Sequence, residues 1–427
     1  MQNRQVVITG FKILSSVGWS LEDNTDVLYG KQALKVSAIT RYNTDGVSLK
    51  YGAEIPSKID NIWDRKLRKY ASLKDVGALS TIKQVWEETK ACGVYDSKRS
   101  SLYTGMGSNQ AGDLTGYFAN VIHCLDENYK FDSSKFGATL LDSLNPMIVM
   151  EAILNNTLCY GSKYLEFRGR NANLMDWEAA SFWAIKEGIW AIKEGRSDVA
   201  VVGGTCASLD PFNVMEDSHL GYYNKQEGLE GEDKEEVVEG LADRIHPYSR
   251  VTTGSIPVEG SCYLVLEEET AAQKRGAKIL GRILGVVSLC GGHQSLGKAV
   301  EEVMKQSSTR VEDICFISGS GCGTPLDLKE LEALRSVIKK KTLMFSPRGS
   351  FYNMIEPSTA LGVASSIIAY NNKMLPPTLN YSRENSVCEE NLCISSKAQP
   401  LDLNKSKVLI PCISRNEVVG ALVIDLA

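Results

Sequence analysis

The chain has 427 residues, 43% of them apolar and 23% charged, with a net charge of −5. That composition can bury a full core, and the length suits one large layered domain or two fused halves. The acidic balance excludes a typical nucleic-acid binder, and no apolar run is long enough to span a bilayer, so a soluble cytoplasmic protein is expected.

The opening residues, 1–14 ("MQNRQVVITGFKIL"), read as a strand leading into the fold rather than as a leader. A helix is predicted next over 72–90 ("SLKDVGALSTIKQVWEETK"), then a strand at 101–107 ("SLYTGMG"). A second helix is predicted over 177–195, where Phe182, Ile185, Ile189 and Ile192 recur on one apolar face. Within it "WAIKEG" repeats once at seven residues, which gives a helix with two similar turns rather than a coiled coil. The strand "VAVVGGT" (199–205) follows. The strongly acidic stretch 227–239 reads as a solvated surface insertion. Strands are predicted again at 261–268 ("SCYLVLEE"), 314–321 ("ICFISGSG"), 407–412 ("KVLIPC") and 421–426 ("ALVIDL"). This alternation implies an α/β protein with helices on both faces of mixed sheets. The eleven cysteines form no C-x-x-C pair and the four histidines lack metal-site spacing, so no metal is expected.

Six segments, in this order, resemble the β-ketoacyl synthase family: 6–20 ("VVITGFKILSSVGWS"), 64–85, 168–205, 246–285, 319–334 ("GSGCGTPLDLKELEAL") and 345–362 ("FSPRGSFYNMIEPSTALG"). The resemblance implies a thiolase-like fold of two pseudo-symmetric βα halves, 1–255 and 256–427, forming a layered α-β-α-β-α core as one compact unit. Condensing members need a thiolate at a helix N-terminus, two histidines and a lysine. The matching positions here hold Glu178, Ser320, Asn353 and Arg348. The family's glycine-rich C-terminal loop is matched by Ile413 to Glu417 ("ISRNE"), and Thr252-Thr253-Gly254 replaces another motif. A carboxylate is too weak a nucleophile to store an acyl group, so condensation chemistry is not expected.

That pattern is similar to the chain length factors of type II polyketide synthases, inactive subunits that pair with an active ketosynthase. Those usually carry glutamine where Glu178 stands. The resemblance implies a heterodimer whose interface includes about 163–177, with this chain forming the floor of the partner's acyl tunnel. Asp113, Gly116, Tyr117, Phe118 and Asn120 are the implied chain-length residues, with ordinary core or interface packing as the alternative for each. It further implies an acyl carrier protein as a second partner, delivering phosphopantetheine-bound chains, and no cofactor for this subunit. Arg65, Lys66, Arg68 and Lys69 are the candidate carrier-docking charges or, equally, a solubilising helix face. Glu178 itself is expected to fill the old site, cap the helix or pair with Arg348 or Arg415. Competing expectations are a malonyl-carrier decarboxylase, an aryl-polyene-type chain length factor, a scaffold without influence on length, and an enzyme with Cys322 as a relocated nucleophile.

Overall fold

Strands covered on both faces are apolar at nearly every position, and the sequence supplies such strands in two matching sets. The computed structural model describes residues 4–45, 47–56, 71–106, 115–143, 153–207, 209–226, 240–382 and 391–426. Its large sheet contains β1 (Val6–Leu14), β2 (Ser100–Gly105), β3 (Asn171–Leu174), β4 (Val199–Ala207), β5 (Glu259–Glu268) and β6 (Gly281–Cys290). It continues with β7 (Ile314–Ser318), β8 (Thr342–Phe345), β9 (Leu392–Ile394), β10 (Lys407–Ile413) and β11 (Val418–Asp425). The spatial order is β9-β8-β7-β10-β11-β6-β1-β5-β4-β2-β3.

Pairing divides this row into two similar halves. In the first, β1 runs antiparallel to β5, β5 antiparallel to β4, and β4, β2 and β3 run parallel. In the second, β6 runs antiparallel to β11, β11 antiparallel to β10, and β10, β7, β8 and β9 run parallel. Among the described residues, the two half-sheets pair where Val6–Ile8 of β1 meets Gly281–Ile283 of β6. β5 pairs with both β1 and β4.

The helices used below are α1 (Leu21–Leu28), α2 (Leu73–Glu88), α3 (Thr115–His123), α4 (Ser133–Ser143), α5 (Asn156–Tyr164), α6 (Ala180–Lys193) and α7 (Pro211–His219). They continue with α8 (Glu269–Lys274), α9 (Leu296–Gln306), α10 (Leu326–Val337), α11 (Arg348–Phe351) and α12 (Ser358–Asn371). Helix α2 starts at a capping box, Ser72 with Asp75, and covers β1, β4 and β5. Helix α9 covers β6 and β11 with Leu296, Ala299, Val300 and Val303. Helices α6 and α12 pack against each other between the half-sheets. They are buried around most of their circumference, as a middle layer must be. The layers therefore run α-β-α-β-α, as the sequence implied.

Candidate functional site

The site forms where the C-terminal ends of β2 and β3 meet the N-termini of the two middle helices. After β3 the chain turns sharply, with Trp177 at φ +37°, and enters a 3-10 turn, Trp177–Ala179, before α6. Gly105 makes that entry possible, because a Cβ there would lie 2.6 Å from the carbonyl carbon of Ala180. Gly204 does the same for the second helix, where a Cβ would lie 2.6 Å from the carbonyl oxygen of Glu356. The two helix starts are tied together: the Ser181 hydroxyl accepts the N–H groups of Thr359 and Ala360 at 3.2 and 3.3 Å.

Glu178 sits on the 3-10 turn and is 1% exposed. It does not cap α6, whose cap residue Ala179 makes no side-chain bond. Of the two expected partners, Arg415 is the one that binds it. Its Nη2 and Nε donate to Glu178 Oε1 at 2.8 and 3.1 Å, and its backbone N–H donates to Oε2 at 3.2 Å. The same guanidinium donates through Nη1 to Asp217 of α7. It also lies between the rings of Trp177 and Tyr222, at 4.1 and 3.9 Å from their centroids. The flanking loop residues are anchored as well, Ser414 Oγ and Asn416 Nδ2 donating to Asp176 Oδ1 at 3.0 and 3.2 Å. The loop after β10 is thus fastened to the turn that carries Glu178.

One guanidinium serves two buried carboxylates, and they share it unequally. Burial works to raise the Glu178 carboxyl, but Arg415, with Arg348 behind it, outweighs burial and holds it below its usual range. At Asp217 burial wins over Arg415, and the carboxyl is raised to about 6. Glu178 makes the more extensive contact, so we assign it the ionised partnership.

Ser320, Arg348 and Asn353 are buried as well. Ser320 is committed to Glu330 of α10, its hydroxyl donating to Oε1 at 2.9 Å, while Tyr248 Oη donates to Oε2 at 2.9 Å. Burial pushes the Glu330 carboxyl up to about 7. Arg348 does not bind Glu178. Its Nη1 donates to the Ser320 carbonyl at 3.2 Å and its Nη2 to Asn353 Oδ1. Arg348 Nε and Asn353 Nδ2 have no partner among the described residues. Cys322 lies beside this pair, with Sγ 3.8 Å from Asn353 Oδ1 and 3.9 Å from Thr324 Oγ1. Burial pushes its thiol up to about 12 despite Arg348, and no histidine is among its hydrogen-bond partners. A thiol so held is not an attacking thiolate at neutral pH. Among the described residues no cluster of His, Cys, Asp or Glu could hold a metal ion.

Of the residues expected to set chain length, Asp113 lies outside the described residues, as do the side chains of Gly116 and Tyr117 in the first turn of α3. Phe118 is 38% exposed and packs against Phe212 of α7, with tilted rings and centroids 4.6 Å apart. Asn120 points inward, buried, and accepts from Thr139 of α4. Arg65, Lys66, Arg68 and Lys69 also lie outside the described residues. Sequence reasoning missed Asp217, Tyr222, Glu330 and Phe212. Their roles come from contacts across the fold that no local pattern announces.

Comparisons with known proteins agree with this fold. The family model described as "Beta-ketoacyl synthase, N-terminal domain" matches residues 3–272, and "Beta-ketoacyl synthase, C-terminal domain" matches 290–382. A 3-oxoacyl-[acyl-carrier-protein] synthase 2 of Synechocystis is 20% identical, with 91% of each chain covered. A putative polyketide beta-ketoacyl synthase 2 of Streptomyces coelicolor is 24% identical over 57% of this chain and 56% of its own length. The solved ishigamide ketosynthase/chain length factor superposes with a TM-score of 0.78 at 19% identity over 100% of both chains. No described helix is long and apolar enough to cross a membrane.

Proposed function

This chain belongs to the β-ketoacyl synthase family, and from that premise we propose that it is a non-condensing member, a chain length factor. In this reading it pairs with an active ketosynthase and shapes the acyl tunnel in which malonyl-derived chains grow on an acyl carrier protein. The observation that carries the proposal is the Glu178–Arg415–Asp217 contact. A carboxylate stands at the nucleophile position, and an arginine from the C-terminal loop fills the space in front of it. Acyl transfer at that point needs both a nucleophile and an open approach. Neither is present, and Ser320 and Asn353 supply no imidazole for decarboxylation or for proton transfer.

The partner in this proposal is an active ketosynthase, met through β3, one of the two edge strands of the sheet, and the exposed apolar side chains around Phe118. The carrier protein brings phosphopantetheine-bound chains to that partner, and residues 65–69 are the proposed contact on this chain. The test is product mass. The chain is expressed with the ketosynthase encoded beside it and supplied with a malonyl-loaded carrier. The expected result is one defined chain length from the pair, and longer products from Tyr117→Ala or Phe118→Ala. Unchanged lengths in both variants would leave a scaffold without influence on length. Condensation by this chain alone would overturn the proposal.

A further inference from the structure

Strand β1 pairs with β5 from Val6 to Leu14, but with β6 only from Val6 to Ile8. Beyond Ile8 the two half-sheets part, and a groove of about 830 Å³ opens beside the unshared length of β1. Its wall includes Phe11, Ile13, Trp19, Leu21, Leu280 and Ile368, drawn from both halves of the chain. No residue of the Glu178 cluster lines it. Its size falls within the ~300–1,000 Å³ of small-molecule sites, and junctions between structural units are where such sites concentrate.

The polar groups of the wall are mostly committed elsewhere. Thr9 bonds Glu267, and Asn24 accepts from Ser15 and donates to the carbonyls of Gly18 and Ser20. Thr25 donates to the Leu21 carbonyl at 2.6 Å. Lys12 pairs with Glu88, and Lys31 pairs with Asp26 at 2.9 Å. Glu22 lies in the first turn of α1, where unbonded N–H groups favour an anion. Lys278 is left as the charged group of the wall with neither an ion-pair partner among the described residues nor a helix terminus to balance it. A mostly apolar groove with one unbalanced cation selects a ligand of matching form.

We propose that this groove is a second ligand site, separate from the Glu178 position, for an apolar body ending in one carboxylate. The apolar part lies along Phe11, Trp19 and Leu280, and the carboxylate meets the Lys278 ammonium. The site does not depend on the reading of Glu178, and its test leaves that reading untouched.

Sodium decanoate is the probe, titrated into the full chain by calorimetry and by tryptophan fluorescence. Decyltrimethylammonium and decanol serve as chain-matched cationic and neutral comparators. Saturable one-to-one binding of decanoate is expected, tighter than that of either comparator. Lys278→Glu, a change at an exposed position, is expected to weaken decanoate by about tenfold and to favour the cationic probe. Trp19→Phe is expected to remove the fluorescence response while calorimetric binding persists. Absence of saturable decanoate binding, equal affinity for the three probes, or unchanged decanoate binding in Lys278→Glu would each overturn the proposal.

Discussion

Arg415 joins the C-terminal loop to the turn before α6 and to α7 through two carboxylates and two rings. The arginine and both carboxylates are close to fully buried, so the arginine neutralises charge that water does not reach. Removing one partner of a buried pair leaves the other uncompensated, at a cost of about 3–5 kcal/mol. Arg415→Ala is therefore expected to lower stability by about that amount, read as a shift in the urea midpoint. Adding Glu178→Gln should recover a large part of the loss, because the stranded charge is then gone. No recovery would mean that the rings, not the charges, hold the loop. Glu178→Cys alone is expected to restore no condensation, since Ser320 and Asn353 remain; a radiolabelled malonyl-carrier assay on the single chain checks this.

The same cluster sets a pH dependence with two signs. Burial raises Asp217 to about 6 and Glu330 to about 7, whereas free carboxylates titrate near ~4. Between those values the folded chain takes up protons that the unfolded chain does not. Their contribution to stability is thus greatest below ~4 and is lost as pH rises through the raised values. Glu178 is depressed, so its contribution is present above ~4.3 and is lost as pH falls further. The urea midpoint is expected to rise on going from pH 7.5 to 5 and to fall below pH ~4. Asp217→Asn should flatten part of the rise. A midpoint falling steadily from pH 7 would mean that both carboxylates stay ionised in the fold.

At the scale of elements, glycines decide how closely the middle helices approach the strands. Gly105→Ala sets a methyl against the backbone of Ala180 and Ser181, 2.6 and 2.7 Å away, where no side chain can swing aside. It is expected to cost about 1–3 kcal/mol, at the upper end because backbone must move. Gly137, on the exposed face of α4, has nothing within 4 Å of an added methyl. Gly137→Ala should instead stabilise by about 0.5–1 kcal/mol. Thermal melts of the two variants separate close packing from helix propensity. The elements themselves were legible in the sequence for the same physical reason. "VAVVGGT" and "SCYLVLEE" are buried on both faces and so are apolar over most of their length, and Phe182, Ile185, Ile189 and Ile192 share one face of α6. The choice of Arg415 over Arg348 for Glu178 was not legible. Both are long cations near the site, and only the return of the loop after β10 decides which one reaches it. The capping role expected of Glu178 fails for a related reason: the sharp turn at Trp177 aims the carboxylate at that loop.

For the molecule as a whole, the two half-sheets meet along only three residue pairs, and the middle helices supply most of the contact that holds them together. Four of the exposed large apolar side chains gather on one pair of helices, α3 and α7. Phe118 and Phe212 pack against each other yet remain 38% and 43% exposed, and Ile122 and Met215 are 67% and 61% exposed. Ile122 lies four residues after Phe118 on α3, and Met215 three residues after Phe212 on α7, so each pair shares a helix face. Large apolar side chains gathered in this way mark association surfaces in soluble proteins. In the proposed heterodimer this surface meets the active ketosynthase, and aromatic anchors there should carry much of the binding energy. Phe212→Asp with Met215→Asp is therefore expected to weaken the co-expressed complex by at least about tenfold. Leu403→Asp, an equally exposed leucine outside these helices (44% exposed), should leave it intact. Sedimentation of the purified pair distinguishes the outcomes. Loss of the complex in the double variant alone would place the partner on this surface. Equal stability of both variant complexes would move the interface elsewhere, and with it the argument that Phe118 faces the growing chain.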